Sequence, residues 1–353
     1  MTARERVLAV FRYQAPDRTC FDLLEGTVWD RLGYFFHQHY GCKQTEDVLN
    51  LLDCDFRWSH LFEVDSPLAE TENVWVSPKS YADVLGDYPL AGVTSVAEVD
   101  RIFNPDPAER PMPDFKRMRE LYPDKALIFA VPWTPIFSGA CGVFGMEEAM
   151  VKMAIEPEIF KAFAIKQSEY LIGYLRLALK AGVNKYCDFF WTGDDFAHGS
   201  AMMLSPDSWR KLIRPYLEPT IRLAKDSGMH TLFHSCGAVS EVYGDFIDMG
   251  VDGHNGVQTS AAGMDIHSLA KNFGGKIVIF GGVDAQTTLV SGTVKDVDRQ
   301  VKENIAAFEK CGGYIVCNSH HGLPDIKGEN IVAMAKGAGR EVSLSASFQR
   351  FPG

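Results

Sequence analysis

Residues 232–239 read LFHSCGAV, an apolar run that ends in a histidine and a cysteine two positions apart. Side chains alternate faces along an extended chain, so the imidazole of His234 and the thiol of Cys236 point to the same side and can grip one ion. Farther on, GYIVCNSHHGLPD closes another apolar run with Cys317 and carries His320 three residues later. Zinc accepts thiolate sulfur and imidazole nitrogen, and a catalytic zinc site uses three protein ligands with a fourth position open. His234 and Cys236 plus one residue of the last run, either Cys317 or His320, satisfy that count. Spacing does not choose between the two. The competing reading is a chance His-x-Cys pair whose cysteine is a buried thiol.

A second group of chemical side chains lies in WTGDD, where Asp194 and Asp195 follow an aromatic run. Either acid could donate a proton to a departing oxygen or complete a metal shell. Adjacent acids in such a loop also commonly accept backbone hydrogen bonds and do nothing else. Glu25, Trp133, Phe137, Trp191 and Asp284 end or follow other apolar runs and are candidate substrate contacts, although aromatic residues at such places more often simply pack the core. Asn255 and His254 end another run; His254 reads as a structural residue.

These side chains need a scaffold that gathers the ends of many strands. Short apolar runs alternate with amphipathic stretches from about residue 126: ALIFAV (126–131), KYCDFF (185–190), HTLFHS (230–235), VDGHN (251–255), KIVIFGG (276–282) and GYIVCNS (313–319). A helix opens at Ser205-Pro206, with kinks expected at Pro215 and Pro219. Two more strands, in RTCFDLLEG and LLDCDFRW, bring the total to eight, and TARERVLAVFR starts with a Thr-x-x-Glu capping box. The pattern predicts a single (β/α)8 TIM barrel over residues 1–353 with an N-terminal helical extension in residues 1–18. There is no Gly-x-Gly-x-x-Gly turn and no Walker-type loop.

Composition narrows the partners. The 353 residues are 46% hydrophobic and 23% charged, with a formal net charge of −11, which argues against nucleic acid and anionic membrane surfaces. No apolar run approaches the ~20 residues of a membrane helix, and the N-terminus lacks a signal peptide's apolar core, so a cytoplasmic location is expected. The eight cysteines are scattered without a C-x-x-C pair, which fits free thiols and metal ligands better than a disulfide framework.

The chain resembles the uroporphyrinogen decarboxylase superfamily, and within it the corrinoid-dependent methyltransferase branch. The resemblance rests on TARERVLAVFRYQAPDR, WTGDD, LSPDSWRKLIRPYL, LFHSCG, IFGGVDAQ and GGYIVCNSHHGLPDIKGENIVAM. It implies a zinc site that begins with His234 and Cys236. Members that methylate thiols end the zinc motif with a cysteine shortly before a proline; counting back from Pro324, that place holds His320, and Cys317 is three residues early. The resemblance also implies methyl exchange between a small methylated substrate and a corrinoid (cobalamin). VDGHNG lacks the last glycine of an Asp-x-His-x-x-Gly corrinoid motif, Val257 standing in its place, so the corrinoid is expected on a partner protein. A homodimer remains open.

The favoured direction is O-demethylation of a methoxylated aromatic, with methylation of a thiol as the alternative. Decarboxylation ranks lower, because members that decarboxylate bind a polycarboxylate through arginines near the N-terminus, whereas FDLLEGTVWDRLG sets Glu25 and Trp29 there. A barrel subunit with a purely structural zinc is the non-enzymatic alternative and needs a fourth protein ligand.

Overall fold

Parallel strands covered on both faces are built from near-continuous apolar runs, and the expected runs take that role here. The computed structural model describes residues 1–28, 30–62, 68, 88–133, 135–321 and 325–343. Its strands are β1 (Cys20–Phe21), β2 (Phe56–Trp58), β3 (Ala126–Ala130), β4 (Phe189–Gly193), β5 (His230–His234), β6 (Gly253–Val257), β7 (Val278–Val283) and β8 (Tyr314–Asn318). They form one parallel sheet in the order β1-β8-β7-β6-β5-β4-β3-β2. Phe56, Ile128, Phe189, Leu232, Phe280 and Ile315 pack the interior, while the outer faces meet the surrounding helices. This is a TIM-barrel-type α/β fold.

The two ends of that order, β1 and β2, are joined around one carboxylate. Asp55, immediately before β2, donates its N–H to the Phe21 carbonyl at 2.9 Å and accepts the Phe21 N–H at 2.8 Å. Arg6 reaches the same carboxylate at 2.7 Å and Arg340 at 2.5 Å. Residues near both ends of the chain therefore clamp the seam of the barrel.

The N-terminal helix, Ala3–Val10, starts with the expected capping box between Thr2 and Glu5. It ends well before residue 18, because Tyr13 takes a left-handed φ of 56° and Pro16 follows. Val7, Val10 and Phe11 join the interior cluster at the N-terminal end of the strands, where the Phe11 ring lies 4.7 Å from Phe189 and 5.2 Å from His230. That end is filled, so chemistry is left to the C-terminal ends.

Local differences from the sequence expectation have identifiable causes. Lys185 lies in a helical turn, Val183–Tyr186, that follows the left-handed Gly182. Asp188 then fixes the start of β4 by pairing with Arg4 and Arg119 and accepting the Leu127 N–H, so the strand runs later, through Trp191. The long helix breaks at Ile213 into Pro206–Leu212 and Arg214–Asp226; Pro215 falls in the first turn of the second piece, and Pro219 sits inside it without ending it. Of LLDCDFRW only Phe56–Trp58 is strand, because Leu51 ends the helix Thr45–Leu51. Among the described residues no helix is long and apolar enough to cross a membrane.

Removing one partner of a buried ion pair costs about 3–5 kcal/mol, because the remaining charge is left uncompensated. Asp55→Asn, which leaves Arg340 buried without its carboxylate and Arg6 with Asp17 alone, is expected to lower unfolding stability by at least about 3 kcal/mol in urea titration. A loss under about 1 kcal/mol would show that the seam does not depend on this carboxylate.

Candidate metal centre at the mouth of the barrel

Parallel register lines up the strand tips: Gly193 of β4 pairs with His234 of β5, which pairs with Asn255 of β6. His234 is 4% exposed, and its position depends on two glycines. A Cβ at Gly193 would lie 2.7 Å from the His234 Cβ, and one at Gly256, where φ is +79°, would lie 2.6 Å from its ring. The ring thus occupies space that any other residue pair would fill.

Three ligand types meet there. Cys236 Sγ is 3.5 Å from His234 Nε2, and Asp195 Oδ1 is 3.6 Å from the same nitrogen. The Asp195 carboxylate also accepts the Cys236 N–H at 2.8 Å, which ties the β4 loop to the β5 loop. All three ligand atoms lie within 4.8 Å of one another, a spacing that a single metal ion can bridge. β5 ends at His234, so Cys236 reaches the group from the loop beyond it and not by strand alternation. His254, on the opposite face of β6, fixes that loop by bonding the Ser235 carbonyl at 2.9 Å and the Tyr243 hydroxyl at 2.6 Å. Burial lowers the His254 imidazole to about 3, so it stays neutral, in keeping with a structural part.

The electrostatics favour a cation at the centre. Burial alone would lower the His234 imidazole, yet the Cys236 thiolate and the carboxylates of Asp195 and Glu25 raise it to about 10. Burial pushes the Cys236 thiol up, against the pull of His234. Whatever positive charge enters, a proton or a metal ion, meets a buried histidine together with a partly exposed thiol and carboxylate.

The two adjacent acids divide their work. Asp194 is fully buried, and its oxygens accept the N–H groups of Ile136 at 3.2 Å, Phe137 at 2.7 Å and Ser138 at 2.9 Å, plus the Ser138 hydroxyl at 3.0 Å. It caps the helix Phe137–Phe144 and anchors the loop that carries Trp133. Burial pushes its carboxyl up to about 7, opposed by the amides of Ser138 and Phe137. Asp195 alone faces the histidine and the thiol.

The other candidates separate in the same way. Trp133 is half-buried with its ring 5.7 Å from His234, and Glu25, held at a left-handed φ of 55°, interacts electrostatically with His234 and Asp195. Trp191 lies inside the barrel, 5.8 Å from Trp133 and 6.0 Å from His234, and donates its indole N–H to Asn255 Oδ1 at 3.0 Å. Phe137 turns its ring into the outer hydrophobic layer, away from the mouth. Asp284 is engaged by Gln286 and Thr287 in its own turn and by Ser260 from the loop after β6. Cys317 is fully buried among the interior residues with Sγ 3.5 Å from Asn318 Oδ1, outside the three-residue group. His320 is also outside that group; its Nδ1–H donates to the His321 carbonyl at 3.2 Å, and its imidazole senses His234 and Asp195. Trp29 and Pro324 lie outside the described residues.

One contributor carried no sequence signal of its own. Asn255 Oδ1 faces His234 Nδ1 at 3.4 Å and so supports the imidazole from behind. Its place at a strand end was visible; its pairing with a histidine on the neighbouring strand required the register.

Residues 90–340 match the protein family described as uroporphyrinogen decarboxylase (URO-D). Among solved structures, the fold is similar to that of a methyltransferase from Methanosarcina mazei, at 16% identity and a TM-score of 0.68, over 96% of this chain and 98% of that one. An L-ribulose 3-epimerase is similar at 12% identity and a TM-score of 0.40, over 71% of this chain and 89% of that one. No curated protein matches the sequence.

The divergence of the two acids has separable consequences. Asp194→Asn places an amide donor against three backbone donors and is expected to cost about 2 kcal/mol of stability while leaving zinc affinity unchanged. Asp195→Asn is expected to leave the melting temperature within a few degrees and, if the group holds a metal ion such as zinc, to weaken its binding at least about tenfold. Calorimetry and chelator competition on both variants check this. The opposite assignment would reverse the two roles.

Proposed function

We propose that this chain, which belongs to the uroporphyrinogen decarboxylase (URO-D) family, is a zinc-dependent methyltransferase that exchanges a methyl group between a small substrate and a corrinoid carried by a partner protein. The observation that carries the reading is the cluster of Asp195, His234 and Cys236 at the mouth of the barrel. Nitrogen, sulfur and oxygen donors suit zinc, and three protein ligands match the catalytic pattern with one position left for substrate. Zinc held by these residues would supply a Lewis acid for the heteroatom that bears the methyl group, and the partner's corrinoid would supply the methyl acceptor.

Porphyrinogen decarboxylation gains nothing from a thiol-containing cluster, and a polycarboxylate would meet the carboxylates of Glu25 and Asp195 at the mouth. The similar fold from Methanosarcina mazei is itself described as a methyltransferase, which supports the same choice.

The favoured substrate is a methoxylated aromatic, demethylated at oxygen. Trp133 offers an apolar ring beside His234 against which an arene can lie. An ether oxygen leaves poorly without a proton or a cation. Glu25 can hold that proton, because burial pushes its carboxyl up despite the nearby His234, and the carboxyl has no hydrogen-bond partner among the described residues. The cluster contributes one sulfur. A site that activates a thiol for methylation would gain from a second sulfur, and Cys317 is not in the group.

The test is a screen of methyl donors with free cob(I)alamin, following its alkylation by absorbance across methoxyarenes, methylamines and methylthiols. Methoxyarenes are expected to react, and Cys236→Ala to lose at least about 100-fold in rate with an unchanged circular dichroism spectrum. Wild-type turnover in Cys236→Ala, or no methyl transfer from any donor by zinc-loaded protein, would overturn the reading.

A further inference from the structure

We infer that Trp191 and Asn255 are positioning residues that select which nitrogen of His234 faces the metal site; this rests on the reading of His234 as a metal ligand. Hydrogen-bonding groups differ in what they can do. An indole N–H can only donate, a carbonyl oxygen can only accept, and a carboxamide carries one of each on either side. Trp191 Nε1 lies 3.0 Å from the side chain of Asn255, so the atom facing it must be Oδ1. The same oxygen faces His234 Nδ1 at 3.4 Å. Nδ1 must therefore carry the proton, and in a neutral imidazole the lone pair is left on Nε2.

Nε2 is the nitrogen that points at Cys236 Sγ and Asp195 Oδ1. With the amide turned over, an NH2 group would face Nδ1, the proton would move to Nε2, and the lone pair would point away from the other two ligands. Only the amide orientation separates a binding site from a non-binding one, and the tryptophan sets it.

Burial makes that selection effective. Asn255 is 0% exposed and Trp191 5%, so solvent is in no position to substitute for the indole. The Nδ2 of Asn255 is buried and has no partner among the described residues. No acceptor on that side holds the amide in place, and its orientation is left to the two donors that converge on Oδ1.

The register explains why these residues can cooperate. His234 and Asn255 are direct neighbours across β5 and β6, and Trp191 pairs with Leu232 across β4 and β5. The indole therefore reaches Asn255 from two strands away, inside the barrel. Trp191 acts through Asn255 and His234, without serving as a ligand itself.

Zinc affinity of the whole chain, measured by chelator competition, tests the inference. Trp191→Phe is expected to weaken zinc binding about 10–100-fold, the usual effect of losing a partner behind a ligand, because the freed amide can turn over. Asn255→Leu is expected to do the same, whereas Asn255→Asp keeps affinity, since a carboxylate presents an acceptor on either side. The double variant Trp191→Phe, Asn255→Asp is expected to return to within about threefold of wild type, a rescue that a mere packing role for Trp191 does not predict. Wild-type affinity in both Trp191→Phe and Asn255→Leu would overturn the inference. So would a double variant as weak as Trp191→Phe. If Trp191→Phe does not fold, the contrast between Asn255→Leu and Asn255→Asp decides, and equal affinities overturn the inference. Wild type and His234→Ala binding zinc equally weakly would instead remove the metal reading on which it rests.

Discussion

The parallel ladder of β4, β5 and β6 places Gly193, His234 and Asn255 in one row, and the chemistry at the mouth follows from that row. Strand side chains alternate faces, so a slip of one residue would turn His234 outward and bring its neighbours inward. The register is held by the interior residues below, Phe189, Trp191 and Leu232, and by the filled N-terminal end around Phe11. At the seam, Asp55 with Arg6 and Arg340 does in electrostatic terms what a ladder does elsewhere. The site therefore draws on contacts made by both ends of the chain.

Above the row, the loops are fixed by polar groups that are almost fully satisfied. Asp194 gives its oxygens to the start of the helix Phe137–Phe144, His254 holds the Ser235 carbonyl, and Asp284 closes its own turn. Each removes a titratable side chain from the chemistry while fixing a segment that carries it. Among the described residues, the imidazole of His234, the thiol of Cys236 and the carboxylates of Asp195 and Glu25 face the centre, with His320 within electrostatic reach. A buried unpaired polar group costs free energy unless it gains a partner, and a cation here would meet several at once.

The barrel was legible in the sequence because its strands are buried on both faces and so stand out as apolar runs between helical patterns. The pair His234 and Cys236 was legible because it is local. The role of Asp194 was not, since its donors lie 56 to 58 positions away in the chain, beyond any spacing rule. Cys317 is a metal-binding residue type, but its place on β8 faces it into the packed interior beside Asn318. The start of β4 differs from the sequence expectation because a helical turn and a strand share the apolar stretch around residues 183–190, and the ion pairs of Asp188 divide them. Asn255 was visible only as a strand end; its use depends on two partners from two other strands.

The central claim is that a metal ion sits among His234, Cys236 and Asp195, with Cys236 as its only sulfur. X-ray absorption at the zinc edge counts sulfur ligands without reference to activity. The account predicts one sulfur per zinc among nitrogen and oxygen neighbours, a signal unchanged in Cys317→Ala and absent in Cys236→Ala. Two sulfurs in the wild-type protein, falling to one in Cys317→Ala, would contradict it and would move the interior cysteine of β8 into the site.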